Sequence, residues 1–404
     1  MLRSLAFRRS PRALFTGPFI VAVLLLSACR IAASPATPTT PTATPSNDPP
    51  TPTVAAPPSP APTPTGTPQP TPTPAPAPTP TPTTAPTPTP EPTPVPGRVF
   101  LEPMSHEYQT WNNCAAVSTA MVLSYFGIQR TQAQLGPLLR PNPGDKHVEP
   151  HQVVALLEEF GLRARILEGG TIERIKQLVA AGFPVITPQW LDHKPDAIGH
   201  YRVVRGYDDS EGVFFVNDSM IGAGVAMPYS EFEELWRAFD FRYIPVYRPE
   251  DEPRVLAILG EEADPQRNLE RAHARMQQLV EEHPNDAYLW FSLGTTEYLL
   301  GNVDAALAAY ERAAAIGLPP KMLWYQFWPV SAYVDAGRYE EALALAAAQI
   351  ATAGVFGEMH YERGRAFEAL GQIGAAIAEY RRALDDDANL DVAREALRRL
   401  GAEP

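Results

Sequence analysis

A chain of 404 residues is long enough for two or three domains, and its formal net charge of −13 argues against a nucleic-acid surface, since no basic patch stands out. Its 46 prolines lie mostly before residue 97, so a proline-rich part precedes a part of ordinary composition. Two cysteines, Cys29 and Cys114, rule out a disulfide framework even for an exported chain.

Arg3, Arg8, Arg9 and Arg12 give a positive opening, and residues 19–26 a short apolar run, well under the ~20 residues that a spanning helix needs. This is a secretory signal pattern. It ends in Leu26-Ser27-Ala28-Cys29, which resembles the lipobox of bacterial lipoproteins. That resemblance implies a signal peptide over residues 1–28, acylation of Cys29, and a tether to the outer face of the cell membrane. Ordinary secretory cleavage nearby and an uncleaved anchor are the other readings. If Cys29 is lipidated, Cys114 is the one free thiol of the chain.

Residues 34–96 are almost wholly Pro, Thr and Ala. Such a segment has too little apolar surface to fold, and its prolines favour an extended polyproline II form. At about 3.1 Å per residue, a stalk of this kind reaches on the order of 150–200 Å. Residues 29–97 are therefore expected to be a disordered Pro/Thr/Ala-rich stalk. Its threonines are also open to glycosylation.

Apolar residues return at Val99, and residues 98–249 read as a first folded domain. Residues 115–126 carry Val117, Met121, Val122 and Tyr125 at helical spacing and end at Gly127, with Asn112 or Asn113 to cap the start. Residues 150–160 and 171–181 predict two more helices, stopped by Gly161 and Gly182. Strands follow at 183–187, 200–205 and 213–216, the last two joined by an Asp/Gly turn as a hairpin. Helices first and antiparallel strands after them predict an α+β domain.

Cys114 stands where the first helix begins. The positive end of a helix dipole favours the thiolate, the reactive form of cysteine, although a small core residue could occupy the same place. A thiol nucleophile needs a base, and the base an orienting group. His273, His283 and His360 lie outside this domain; His106 and His147 flank loops without an evident partner; His151 reads as a solvated first-turn residue. His193, in a polar loop near Trp190, is the runner-up to His200, which opens a strand after Gly199 at what reads as a sheet edge. Asn217 and Asp218 end the next strand, one hairpin away. Cys114, His200 and Asp218 are also zinc-ligand types, but without a second nearby cysteine or a His-x-x-x-His pair no metal or other cofactor is expected.

Gln109-Thr-Trp-Asn-Asn-Cys114 through Met121-Val-Leu-Ser-Tyr-Phe-Gly127 resembles the start of papain-fold cysteine peptidases of the bacteriocin-processing type, family 39, and especially the broad 39-like group. Gly199-His-Tyr-Arg-Val-Val-Arg-Gly-Tyr-Asp208 is similar to that group's histidine segment, and Phe215-Val-Asn-Asp218 to its aspartate segment. The resemblance implies a papain-like peptidase domain with Cys114 as nucleophile, His200 as general base, Asp218 as orienter and Gln109 as oxyanion donor. Two positions depart from the group. Ala115-Ala116 stands where Gly-Pro is usual, so that a methyl could narrow the cleft, and Ser219 replaces a proline, leaving Asn217 as another orienter. Peptide hydrolysis, amide or acyl transfer on the same residues, and a retired binding domain all follow from such a scaffold; a peptide or protein is the expected substrate.

Residues 250–404 repeat. Trp290, Leu293, Gly294, Gly301, Ala306, Tyr310 and Ala313 have the spacing of a tetratricopeptide repeat; Gly337 and Ala342 mark a looser copy; Gly364, Phe367, Gly371, Ala376, Tyr380 and Ala383 mark a third. Leu259-Gly260 and Pro284 fit a degenerate earlier copy, and residues 381–400 a last helix with a solvated cap. An all-α solenoid that binds a protein partner is expected. Trp324, Tyr325, Phe327 and Trp328 read as inter-repeat core, the other reading being a groove that grips a peptide.

Overall fold

The computed structural model describes residues 96–194 and 196–403; the signal, Cys29 and nearly all of the proposed stalk lie outside the described residues. In chain order the first domain contains β1 (Arg98–Phe100), α1 (Cys114–Tyr125), α2 (Gln132–Leu139), α3 (Pro150–Glu159), β2 (Arg163–Ala164), α4 (Ile172–Ala180), β3 (Val185–Trp190), β4 (Gly199–Asp208), β5 (Val213–Asp218), β6 (Gly222–Pro228), α5 (Tyr229–Trp236) and β7 (Ile244–Tyr247). The strands form one antiparallel sheet in the order β2-β7-β3-β4-β5-β6, with β1 on the far end of β4. β4 is thus a central strand, not an edge, and His200 lies at its end.

Alternation along β4 splits the domain into two cores. Tyr201 and Val203 face α1 and α3, joining Val117, Met121, Val153 and Leu157; Val204 belongs to the other core, with α4 and α5. Ten consecutive residues of α1, Ala115 to Ser124, are buried. A helix buried on all sides must be made of small or apolar residues, which its Ala, Ser, Thr and Val supply. Gly127, at φ 83°, takes the left-handed turn that ends it.

The repeat domain runs through α6 (Glu252–Leu259), α7 (Pro265–Glu282), α8 (Ala287–Leu299), α9 (Val303–Ile316), α10 (Trp328–Asp335), α11 (Tyr339–Ala353), α12 (Gly357–Ala369), α13 (Ile373–Asp386) and α14 (Asp391–Arg399). Among the described residues no helix is long and apolar enough to cross a membrane. α8/α9, α10/α11 and α12/α13 are the three antiparallel pairs. The degenerate copy keeps one long helix, α7, while α6 is short and its Val255 and Leu259 join the core of the first domain. That core is continuous across the boundary: Phe232, Trp236 and Phe241 belong to the same buried cluster as Met276, Phe291 and Tyr310.

Small residues carry the repeats. A Cβ on Gly294 would sit 2.6 Å from the Tyr310 ring, and Gly364 meets Tyr380 in the same way. In the looser copy the equivalent positions hold Val330 and Ala346, both fully buried, so the large partner has changed sides. Gly294→Ala should therefore destabilise the protein by about 1–3 kcal/mol through overpacking, outweighing the ~0.5–1 kcal/mol that alanine gains in a helix. A urea titration followed by circular dichroism checks this; a rise in midpoint would contradict the packing.

Candidate active site

Cys114 is the first residue of α1, so its backbone N–H has no intrahelical partner and its thiol meets the positive end of the helix. Asn113 is the N-cap residue, yet its side chain does not cap. Its Nδ2 donates to Thr110 Oγ1 (2.8 Å) and Gln132 Oε1 (3.1 Å), and its Oδ1 accepts from Arg140 Nη2 (2.6 Å). Gln132 also accepts from Thr110 N–H (2.7 Å) and donates to Tyr108 O (2.8 Å). Side chains of α2 and its flank thus pin the loop that delivers the cysteine. α2 escapes sequence reading because Gly136 and Pro137 lie inside it.

His200 is buried at the start of β4, with Nε2 3.0 Å from Asp218 Oδ1. A carboxylate only accepts, so Nε2 carries the proton and Nδ1 is left as the basic nitrogen. Asp218 Oδ1 further accepts from the N–H groups of Met220 (2.7 Å) and Ile221 (3.0 Å). Its Oδ2 accepts from Arg202 Nε (2.7 Å), a fully buried guanidinium that also donates to Gln189 Oε1, Trp190 O and Leu191 O. Arg202 was missed in the sequence. Strand alternation was its signal: it lies two residues from His200 on the same face and directly opposite Asp218 in the ladder. Asn217 points the other way, accepting from Arg205 Nη1 and Gly224 N–H and donating to Ser105 O.

Cys114 keeps some exposed surface as a residue, while its sulfur sits in a desolvated setting. Burial alone would push the thiol up; the His200 imidazole and the backbone at Tyr201 and Ala115 outweigh it and hold the thiol below its ordinary value. Burial likewise pushes His200 down, but the Asp218 carboxylate and the Cys114 sulfur raise it. Nδ1 makes no hydrogen bond, and the thiol acts on the ring as a whole, raising it alongside Asp218. A loose contact of this kind is common in an unliganded site. Asp218, which burial alone would raise, is held well below the usual carboxylate range by His200 and Arg202.

Gln109 Oε1 accepts from the Ser219 hydroxyl (2.7 Å), and its backbone N–H donates to Ser219 O (2.9 Å), which ties it to the residue after Asp218. Gln109 does not line the small cavity over Cys114; Asn112, His147, His200, Tyr201, Phe239 and Tyr325 do. Ala115 and Ala116 are buried in the α1 core and also stay out of the cavity, so neither methyl narrows it. His193 is exposed and faces Glu234 at 3.6 Å, away from this constellation. His106 and His147 do have partners. His106 Nε2 lies 2.9 Å from Asp218 O; buried His147 pairs with Glu149 (2.6 Å) and, at 3.9 Å, with Glu358 of the repeat domain. Burial opposes the charge on His147, but these carboxylates push it up to about 9. Among the described residues no cluster of His, Cys, Asp and Glu has the geometry to hold a metal ion.

Residues 101–244 match the model of the Peptidase_C39 like family, and residues 259–319 and 330–391 match the tetratricopeptide repeat. No curated protein matches the chain. Similar solved structures include a Bacillus anthracis protein described as C39-like, at 18% identity over 37% of this chain and 98% of that one, TM-score 0.32. The peptidase domain of Streptococcus ComA is 16% identical over 36% of this chain and 98% of that one, TM-score 0.28. On the repeat side, residues 41 to the end of MamA from Desulfovibrio magneticus RS-1 are 16% identical over 38% of this chain and 81% of that one, TM-score 0.31.

Two measurements probe this geometry. The rate of Cys114 alkylation by iodoacetamide, read by peptide mapping, should fall with decreasing pH around an apparent pKa below the ~8.5 of a free thiol. In His200→Ala that midpoint should move up, because burial is then less opposed; an unmoved midpoint would mean that the imidazole does not act on the thiol. Asp218→Ala leaves buried Arg202 and His200 without their carboxylate and should lower stability by about 3–5 kcal/mol in a urea titration.

Proposed function

We propose that this chain, in which a domain of the C39-like peptidase family is followed by tetratricopeptide repeats, is a cysteine peptidase tethered to the outer face of the bacterial cell membrane. The observation that carries the reading is the constellation of Cys114, His200 and Asp218: a thiol and an imidazole that line one cavity, the thiol lowered by the ring, and a carboxylate 3.0 Å from Nε2.

In the proposed reaction His200 Nδ1 takes the thiol proton, and the thiolate attacks the carbonyl carbon of the scissile bond. The tetrahedral oxyanion receives hydrogen bonds from the Cys114 backbone N–H and from Gln109 Nε2. Ser219 holds Gln109 through its Oε1, so Nε2 is the atom assigned this donation, from outside the small cavity that His200 and Tyr325 line. The imidazolium then protonates the leaving amine as the C–N bond breaks, leaving a thioester on Cys114. Water, deprotonated by His200, attacks the thioester; the C–S bond breaks, the acid product is released and the thiolate of Cys114 is restored beside the imidazolium. Asp218 keeps the ring in place and stabilises its charge throughout.

A peptide substrate is supported by four large apolar side chains that remain exposed on the loop bearing Gln109 and the turn after Asp218: Tyr108, Trp111 (75% exposed), Met220 and Ile221. The repeat domain is proposed to bind a protein partner, and the lipobox ending at Cys29 supports the tether.

Wild type and Cys114→Ala compared on a peptide library test the reading. Cleavage should fall by a factor on the order of 10⁴ or more in the variant. Gln109→Ala should lower kcat by roughly 10²–10³ with little change in KM. A thiol that alkylates readily while the wild type turns over no peptide or amide would instead identify a binding domain on a retired scaffold.

A further inference from the structure

The walls around Cys114 are not all built by the peptidase domain. Tyr325, between α9 and α10 of the repeat domain, lines the same cavity as Cys114 and His200. Its ring lies against Gly199, the residue before the base: a Cβ on that glycine would stand 2.9 Å from it. It also stacks edge-on against Trp190, with centroids 5.8 Å apart, and near Phe239 at 6.2 Å. Neighbouring side chains fasten the segment to the first domain. Lys321 Nζ donates to Asp196 O (2.9 Å), and buried Gln326 Nε2 donates to Ala238 O (2.9 Å).

The segment is an irregularity of the solenoid. From α11 to α12 the chain needs only residues 354–356, but from α9 to α10 it takes residues 317–327, and α10 has 8 residues where α8 and α12 have 13. Pro319 and Pro320 break the helix that a regular repeat would begin here, and a 3-10 turn (Pro320–Trp324) replaces it. The spacing of the repeat is thus altered at the place where it reaches the cysteine.

The space left is small. The cavity over Cys114 measures about 30 Å³, against about 300–1,000 Å³ for an ordinary ligand pocket. The methyls of Ala115 and Ala116 do not account for this, since neither borders the cavity. The Tyr325 ring does border it.

We propose that Tyr325 is a specificity-determining residue of the active site, supplied by the repeat domain, which excludes bulky groups from the Cys114 sulfur and admits slender ones. The site is then composite: the first domain carries the reacting groups, and the second repeat sets the width of the approach. This deepens the reading of Cys114 as a nucleophile, but it concerns access to the sulfur and is tested without turnover, so the two can fail separately.

The test is alkylation of the full chain by a small and a bulky reagent, iodoacetamide and N-(1-pyrenyl)maleimide, quantified at Cys114 by peptide mapping. Wild type, Tyr325→Phe and Tyr325→Ala are compared. Tyr325→Ala should raise the ratio of bulky to small reagent rate by about tenfold or more, the discrimination a tight pocket wall gives. The iodoacetamide rate should change far less, and Tyr325→Phe, which keeps the ring, should hold the wild-type ratio. If Tyr325→Ala does not unfold cooperatively, Tyr325→Leu, which keeps an apolar contact with Trp190, carries the same comparison. A folded truncation that melts earlier but leaves the ratio unchanged would make Tyr325 an interdomain packing residue only and overturn the proposal.

Discussion

The Asp218 carboxylate lies between a standing cation and a group that becomes one, with Arg202 on one oxygen and His200 on the other. In a buried setting an unpaired carboxylate would be too costly to keep ionised, and an Arg202 without it would be worse. Paired, they form a nearly neutral unit whose other oxygen still accepts from the ring. The strand ladder produces this arrangement directly. Arg202 and Asp218 are cross-strand neighbours of β4 and β5, and the period of two along β4 brings His200 to the same face. The thiolate–imidazolium pair is favoured between the lowered value of Cys114 and the raised value of His200, a window that belongs to the pair rather than to either residue.

The same local economy ties the rest of the site to that strand end. Ser219, immediately after Asp218, holds Gln109 by its hydroxyl, and Gln109 lies in the loop that leads to Cys114. The loop between α2 and α3 closes the other side, and the repeat domain holds it there. Asn142 donates to Asp385 O and Lys146 to Ala353 O, with its ammonium also 4.8 Å from the Trp324 ring centre, while Gln152 in the first turn of α3 donates to Asp387 Oδ2. His147 and Glu149 form a buried ion pair with Glu358 beside it. Pairs of this kind add little net stability, but separating them would leave buried charges without a partner, so they fix the register of the interface. The repeats are accordingly part of the wall of the cleft as well as a solenoid beside it.

What the sequence disclosed follows from how local the information is. The span of α1, the β4–β5 hairpin, and the Gly and Tyr positions of the repeats are written in short-range periodicity. The strand β6, Gly222-Ala-Gly-Val-Ala-Met-Pro228, has almost no strand propensity and forms because β5 offers it a partner. The choice between Asn217 and Asp218 was open because neighbours on a strand face opposite ways, and only the register tells which one meets His200. In the sequence Arg202 is a charge within an apolar run, with nothing local to mark it. Its meaning needed the knowledge that residue 218 lies opposite. The aromatics near 325 read as inter-repeat core, which suits Trp328 against Tyr298 but not Tyr325, whose partners belong to the other domain.

Ala115 and Ala116 were the residues beside the nucleophile that broke the expected pattern, and the concern they raised was a narrowed cleft. Their methyls are instead buried inside α1, where small side chains let a fully buried helix pack closely. The narrowing comes from a tyrosine in another domain, and its only trace in the sequence is a repeat slightly too long, interrupted by two prolines. Local departures and distant ones thus act on different quantities. Residues of α1, β4 and β5 govern how readily the sulfur loses its proton, whereas an insertion in the second repeat governs what can approach it. Because these lie on separate elements, reactivity and selectivity can change independently, one by substitution on the strands and the other by a change of loop length in the solenoid.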